Sequence, residues 1–442
     1  MNSLFHSATH REVLWLAWPI ILSNLSVPLL GAVDTAVVGH LPGPQYLGAV
    51  AIGAMIFSFL YWGFGFLRMG TTGFVAQAAG AENSDEIRTV LARALILGGG
   101  LAVLILLCQV PVLAAALYLV EGSEAVEAGA TAYFSIRVWG APAVLANYAF
   151  LGFFIGLGNT RAALMTQVFM NAVNICLDLI FVLGLDMGVP GVAFATVLAE
   201  YSAVLLGAYL VRRELLMIGG RWLKQAILSL SDMKQLLAVN LDIFVRTILL
   251  IFSFAYFTAQ AAKMGEETLA AMAVLMNFVH FLSFGLDGFA HAAEGLVGRA
   301  VGRGQPDRLN QVVGISSFWA GAVALLYAGI YAVFGPDFIN LLTSVSGVRD
   351  VANDYLIWVV VMPLVAVWPY QLDGVFIGAM QSREMRNGMI LSFAAYFAAL
   401  HVFSSFWGAH GLWAGLVVFM VMRGLTLTWV YPRVLKRARG MA

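Results

Sequence analysis

Val13-Leu-Trp-Leu-Ala-Trp-Pro-Ile-Ile-Leu-Ser-Asn-Leu-Ser-Val-Pro-Leu-Leu-Gly-Ala-Val-Asp-Thr-Ala-Val-Val38 is an unbroken apolar run with one ionisable side chain, Asp34. As a helix rising 1.5 Å per residue it is longer than the roughly 30 Å hydrocarbon core of a bilayer. The rest of the chain reads the same way. Of its 442 residues 61% are hydrophobic and 11% charged, against about 45–50% and 25% in soluble domains. Hydrocarbon offers no hydrogen-bond partners, so a spanning segment is a helix or a closed-barrel strand, and runs of this length specify helices. Further runs lie near 47–78, 90–119, 130–155, 162–185, 190–211, 236–262, 269–298, 312–335, 352–380, 388–408 and 412–431. The expected fold is an all-α membrane protein of about twelve transmembrane helices. His6, His10 and Arg11 lead directly into the first run, without a short apolar core and small-residue cleavage site, so no cleaved signal peptide is expected. Cys108 and Cys176 both sit in apolar runs and read as packing residues.

Most of the 24 Lys and Arg residues fall in or beside the loops after the even-numbered spans and in the C-terminal tail. The opposite loops hold only Lys263 and Arg349. This asymmetry puts the basic loops and both termini on the cytoplasmic side. The chain also resembles itself at a shift of about 220 residues. Thr72-Gly-Phe-Val-Ala-Gln-Ala-Ala-Gly80 is similar to Glu294-Gly-Leu-Val-Gly-Arg-Ala-Val-Gly302, Gly152-Phe-Phe-Ile-Gly156 to Gly374-Val-Phe-Ile-Gly378, and Gly188-Val-Pro-Gly191 to Gly408-Ala-His-Gly411. The expected organisation is two pseudo-symmetric six-helix bundles, 1–211 and 236–442, joined by a basic cytoplasmic linker, 212–235. An even number of helices per repeat relates the halves by an axis along the membrane normal. The Gly152/Gly156 and Gly374/Gly378 spacing allows close helix approach, as a functional device or simply as packing.

An ionised group at bilayer depth costs about 2.5–3.5 kcal/mol even on insertion scales, which makes each intramembrane acid a candidate: Asp34, Asp178, Glu200, Asp242, Asp287, Glu294 and Asp373. Asn171, Asn174 and Asp178 share one face of the fifth helix. Asn24 and Asp34 share the first, which Pro19 and Pro28 allow to bend. Two carboxylates in one poorly hydrated pocket would welcome a proton or Na⁺, and Asn174, Asp178 and Thr196 offer hard oxygen ligands. The repeat places the positions matching Asp34 and Asp178 near Ala255 or Tyr256 and near Leu400, so the second half lacks the acid pair. It carries instead Asp287, His291 and Glu294 on one face of the eighth helix, Asp373 on the tenth, and Asp242 with Arg246 on the seventh, which reads equally as a plain ion pair. Glu294 with nearby Arg299 suits a cytoplasmic cap or gate. Candidates for a substrate cavity are Asn24, Asn147, Tyr148, Phe150, Phe154 and Asn171; rings suit greasy cations, although many aromatic side chains in such a chain only pack. No His-Glu-x-x-His, Gly-x-Ser-x-Gly or metal-spaced Cys/His set is present, and no lysine stands in a phosphate-binding loop. The chain does not read as an enzyme or as an ATP-driven pump.

The ordered set Trp18-Pro-Ile-Ile-Leu-Ser-Asn-Leu-Ser-Val-Pro-Leu-Leu-Gly-Ala-Val-Asp-Thr-Ala-Val-Val-Gly-His40, Phe66-Leu-Arg-Met-Gly-Thr-Thr-Gly73, Gly122-Ser-Glu-Ala-Val126, Leu286-Asp-Gly-Phe289, Leu372-Asp-Gly-Val-Phe-Ile-Gly378 and Glu384-Met-Arg-Asn387 resembles the multidrug and toxic compound extrusion (MATE) transporters, in their DinF-like branch. The resemblance implies a V-shaped pair of six-helix bundles that exports amphipathic, often cationic compounds in exchange for H⁺ or Na⁺ by alternating access. Asp34 matches the family's coupling-ion aspartate, Pro19 the proline at which the first helix bends, and Asn174, Asp178 and Thr196 the remaining polar positions of that site. The branch is usually regarded as proton-coupled, yet the same four side chains look like the family's Na⁺ site, so the ion stays open. In another branch an acid on the seventh helix takes part; Asp242 is only a loose match, and that role is not carried over. The resemblance further implies no cofactor, no nucleic-acid partner, a monomer, and a bacterial inner (cytoplasmic) membrane location. A flippase for lipids or lipid-linked precursors is the alternative, opposed by the excess of acids over bases within the spans.

Overall fold

The structure, a computed structural model, describes residues 7–39, 41, 43–120 and 123–440. His6, His40 and Gly122, which enter the sequence reading, lie outside the described residues. Among those described, twelve helices are long and apolar enough to cross a membrane: α1 Ser7–Gly39, α2 Gln45–Gly80, α3 Ser84–Leu107, α4 Glu124–Leu157, α5 Thr160–Gly184, α6 Gly188–Ile218, α7 Leu230–Ala262, α8 Glu266–Gly302, α9 Pro306–Leu342, α10 Ser346–Gly378, α11 Ser382–Trp407 and α12 Ala409–Ala438. Their ends follow local chemistry. The Asn83 side chain accepts from Glu86 N (3.0 Å) and that of Asn159 from Ala162 N (3.1 Å), so each satisfies an orphan donor at the start of α3 and α5.

Two boundaries differ from expectation. The third run does not continue to 119. Helix α3 stops at Leu107, and a separate helix, Gln109–Val120, follows Cys108. Pro111 is the cause: it has no N–H to offer the Leu107 carbonyl, but it is tolerated in the first turn of a new helix. By its contacts the chain divides into two compact units whose limits lie near, but not at, those of the expected bundles 1–211 and 236–442. One compact unit is Leu22–Leu236, and the other is Met1–Ile21 with Leu237–Ala442. Within the second unit, the first turns of α1 are tied to α8 and α9. Arg308 pairs with Glu12 and donates to Thr9 Oγ1 (2.5 Å), Arg299 lies 3.9 Å from Glu12, and Trp319 Nε1 donates to His10 Nδ1 (3.0 Å). Gly288 leaves room for Ile21, whose side chain would stand 2.3 Å from a Cβ there. Within the first unit the linker is a fixed strap. Arg88 donates to the carbonyls of Gly219 and Leu215 (both 2.6 Å), and Arg93 reaches Ala226 O (2.5 Å) and Asp232 (2.7 Å).

The internal repeat is visible at backbone level. A Cβ on Gly152 would stand 2.5 Å from Arg68 O and one on Gly156 2.8 Å from Thr72 O; in the other half a Cβ on Gly374 would stand 2.2 Å from Ala290 O and one on Gly378 2.4 Å from Glu294 O. All four pairs correspond at a constant shift of 222 residues (152 to 374, 156 to 378, 68 to 290, 72 to 294). Helices α4 on α2 and α10 on α8 therefore make the same backbone-to-backbone contact, and these glycines serve packing. The same shift joins the left-handed turn residues Glu82 and Gly304, and Gly158 and Met380. Glu82 and Met380 adopt that conformation despite the cost to a side chain.

Candidate ion and substrate site of the first half

Helices α1, α5 and α6 bring four of the expected site residues together. Helix α1 runs unbroken through Pro19 and Pro28, and its second half belongs to the unit Leu22–Leu236. There the carboxyl groups of Asp34 and Asp178 lie close enough to act on one another electrostatically. Asp178 is fully buried, and its Oδ1 has no hydrogen-bond partner. Asn174, one turn earlier on α5 and 1% exposed, donates from Nδ2 to Thr196 Oγ1 of α6 (3.3 Å). With its amide turned over it would instead donate to Asp178 Oδ2 (3.3 Å) and accept from Thr196 N (3.2 Å). Thr196 Oγ1 is anchored to Val192 O (2.9 Å). The donor set is two carboxylates, an amide and a hydroxyl, all hard oxygens of the kind a proton or small alkali cation takes. Among the described residues no cluster of three or more His, Cys, Asp or Glu side chains forms a metal site.

The remaining candidates divide. Asn171 donates to Ser26 Oγ (2.9 Å) and accepts from Gln167 (3.0 Å), tying α5 to α1 about two turns from the acid pair. Asn24 lies half-buried on α1. Asn147 and Tyr148 line a cavity of about 310 Å³, with Tyr61, Gln167, Met170 and Glu200 among the other walls. Phe150 and Phe154 do not. They are 6% and 0% exposed in the hydrophobic core with Phe153, Val75 and Leu91, because Gly207 lets the Phe150 ring pack flat against α6. Asn147 Oδ1 and the Tyr61 hydroxyl, on two of these lining residues, are buried with no hydrogen-bond partner.

Beside this cavity lies a pair the sequence reading did not join. Arg137 of α4 and Glu200 of α6 form a buried two-pronged ion pair (Nη1 to Oε2 2.7 Å), with the guanidinium 5.2 Å from the Phe57 ring centroid and 5.3 Å from that of Tyr61. Asn147 Nδ2 donates to Glu200 O (3.2 Å). A solitary intramembrane base on α4 and a solitary acid on α6 were the available signal, but nothing in their spacing fixes the pairing.

In the second half the acids are engaged. Asp373 is gripped by Arg423 (2.7 Å) and by Arg246, both buried. Asp242 pairs with Arg386 (2.6 Å) and accepts from Ser382 (3.0 Å). Asp242 and Arg246, neighbours on one helix face, therefore take partners on α11 and α10 respectively instead of each other. Glu294 is 2% exposed with His291 Nε2 at 3.8 Å, and Arg299 turns to Glu12 and Gly295 O. Asp287 lies half-buried on the same face of α8.

The MatE family model matches twice, over 19–180 and 243–407, once in each half of the repeat. Among curated proteins the chain is 44% identical over 426 residues to DNA damage-inducible protein F of Escherichia coli (strain K12), covering 96% of this chain and 92% of that one. It is 24% identical over 420 residues to the probable multidrug resistance protein NorM of Bacillus anthracis, covering 92% of each. Among solved structures the fold is similar to the bent form of the Vibrio cholerae MATE transporter VcmN, with a TM-score of 0.89 over the full length of both at 22% identity. With the family model covering both halves and a relative aligned nearly end to end, the chain belongs to the MatE family of membrane transporters.

Proposed function

We propose that this transporter exports amphipathic, cationic compounds from the cytoplasm in exchange for H⁺ or Na⁺ taken up at Asp34 and Asp178. The observation that carries the reading is the closeness of those two carboxyl groups beside Asn174 and Thr196. Two carboxylates this close repel, and a proton or small cation between them relieves the repulsion. Asp34, Asp178, Asn174 and Thr196 would hold the ion. The adjacent cavity, with two amides, two phenols and a thioether on its walls and its one acid held by Arg137, suits a ring-bearing guest. The names of the multidrug relatives support the export reading.

In this mechanism ion uptake changes how Asp34 meets Asp178, bends α1 near Pro19, and expels the guest; by reciprocity a bound guest favours ion release. Pro19 stands two residues before the point at which α1 passes from one compact unit into the other, which suits a bend there. The basic loops face the cytoplasm, both termini included, and the monomer works in the inner membrane of a bacterium. Proteoliposomes with proton and Na⁺ gradients imposed separately test the reading. One gradient drives efflux of a fluorescent amphipathic cation by the wild type, and Asp34→Asn abolishes that drive. Unchanged gradient-driven efflux in Asp34→Asn overturns it.

A further inference from the structure

A groove between α8 and α9, well away in sequence from the ion site, has walls of one kind. It encloses about 380 Å³, lined by Phe278, Phe281, Tyr327, Tyr331, Phe338 and Leu342 among others. Its polar groups are turned away. The Tyr331 hydroxyl donates to Phe278 O (2.8 Å), that of Tyr327 to Phe281 O (3.2 Å), and the amide of Asn277 to Ala273 O (3.0 Å). What remains is ring and aliphatic carbon. Binding sites for drug-like molecules keep a few polar groups to orient the guest; this one offers none, so its guest is hydrocarbon.

Two of its wall residues, Phe281 and Leu342, are each 46% exposed, on helices long and apolar enough to span the membrane, where the medium around a span is lipid. From Tyr327 to Leu342 the wall follows sixteen residues of α9, about 22 Å of helix, enough for the hydrocarbon of one leaflet, about half of a 30 Å core. At its end, in the first turns of α10, stands Arg349, one of the two basic residues that the sequence reading places on that face. It donates Nε to Thr343 O (2.7 Å) and Nη2 to Asn340 O (3.0 Å). This pins its charge at the C-terminus of α9, one residue beyond the groove. A guanidinium has five N–H donors, so two carbonyls leave others for a phosphate.

We infer that the α8–α9 groove holds an acyl chain of one anionic membrane phospholipid, with its phosphate bound by Arg349. All-carbon walls, exposed wall residues on spanning helices, leaflet length and a cation at one end together select that occupant, independently of the ion site and of the transported compound.

The test is native mass spectrometry of the purified full-length protein titrated with phosphatidylglycerol or phosphatidylcholine of identical chains. Thermal melting with each lipid is measured in parallel. The wild type retains one phosphatidylglycerol on activation and prefers it about fivefold, the value of one basic contact to an anionic lipid. Arg349→Gln keeps the adduct but brings the preference near unity. Ile330→Trp and Leu342→Trp, which fill the groove from two places, each remove the adduct and the lipid-dependent rise in melting temperature while circular dichroism shows unchanged helix content. Equal adducts in the wild type and both tryptophan variants overturn the inference, as does a wild type with no preference for the anionic lipid.

Discussion

Glu200→Gln is the perturbation whose effect follows most directly from the structure. It leaves the Arg137 guanidinium, 7% exposed, without the carboxylate that grips it. Breaking a buried ion pair by removing one partner costs about 3–5 kcal/mol, because the surviving charge is uncompensated. The Phe57 and Tyr61 rings, 5.2 and 5.3 Å away, are present in wild type and variant alike and do not offset it. A loss of about 3–5 kcal/mol is expected. Arg137→Met should cost a similar amount, whereas the double variant removes both charges and should lie within about 1 kcal/mol of the wild type. Unfolding in detergent, followed by circular dichroism for the wild type, both singles and the double, closes a thermodynamic cycle. Singles within about 0.5 kcal/mol of the wild type, the range of an ordinary surface change, would refute the reasoning. So would a double variant as unstable as the worse single.

Other outcomes follow from the same geometry. Asp178→Asn relieves a like-charge repulsion and should melt at or above the wild-type temperature while losing gradient-driven efflux; a marked loss of stability would make Asp178 a structural acid. Asp373→Asn leaves Arg246 and Arg423 buried and facing one another, so melting curves should show a loss of at least about 3 kcal/mol. Arg433→Ala breaks a pair whose arginine is 60% exposed, and the same measurement should register at most about 1 kcal/mol. Gly374→Ala drives a Cβ against the Ala290 carbonyl and should cost about 1–3 kcal/mol, whereas Gly321→Ala, in α9 with nothing within 4 Å, should be neutral or stabilising.

Hydropathy made the helices legible because each span must bury its own backbone polar groups, a constraint that acts segment by segment. Pro111 shows the limit: the apolar run continues past it, and only the missing N–H ends the helix. The acid pair was legible as a likelihood of types, Asp34 and Asp178 each on a polar face, while their meeting depends on how α1 packs against α5, which one-dimensional spacing does not encode. Phe150 and Phe154 were misassigned to the cavity for a related reason. Ring chemistry is the same in a core and in a cavity wall, and the deciding residue, Gly207, lies on another helix. The anchoring of the first turns of α1 to α8 and α9 rests on Glu12, Thr9 and His10, polar side chains that a hydropathy reading treats as ordinary flank.

The glycine contacts repeated at a shift of 222 residues carry a consequence for how such a chain can change. Where backbone lies on backbone, the requirement on the partner helix concerns the absence of bulk at the glycine and says little about the side chain that partner carries. Thr72 and Glu294 offer the same carbonyl to Gly156 and Gly378, yet one bears a neutral hydroxyl and the other a carboxylate. A duplicated bundle fastened in this way can gain, lose or trade charges in one copy without unmaking the joint, and so can divide labour between copies that began alike.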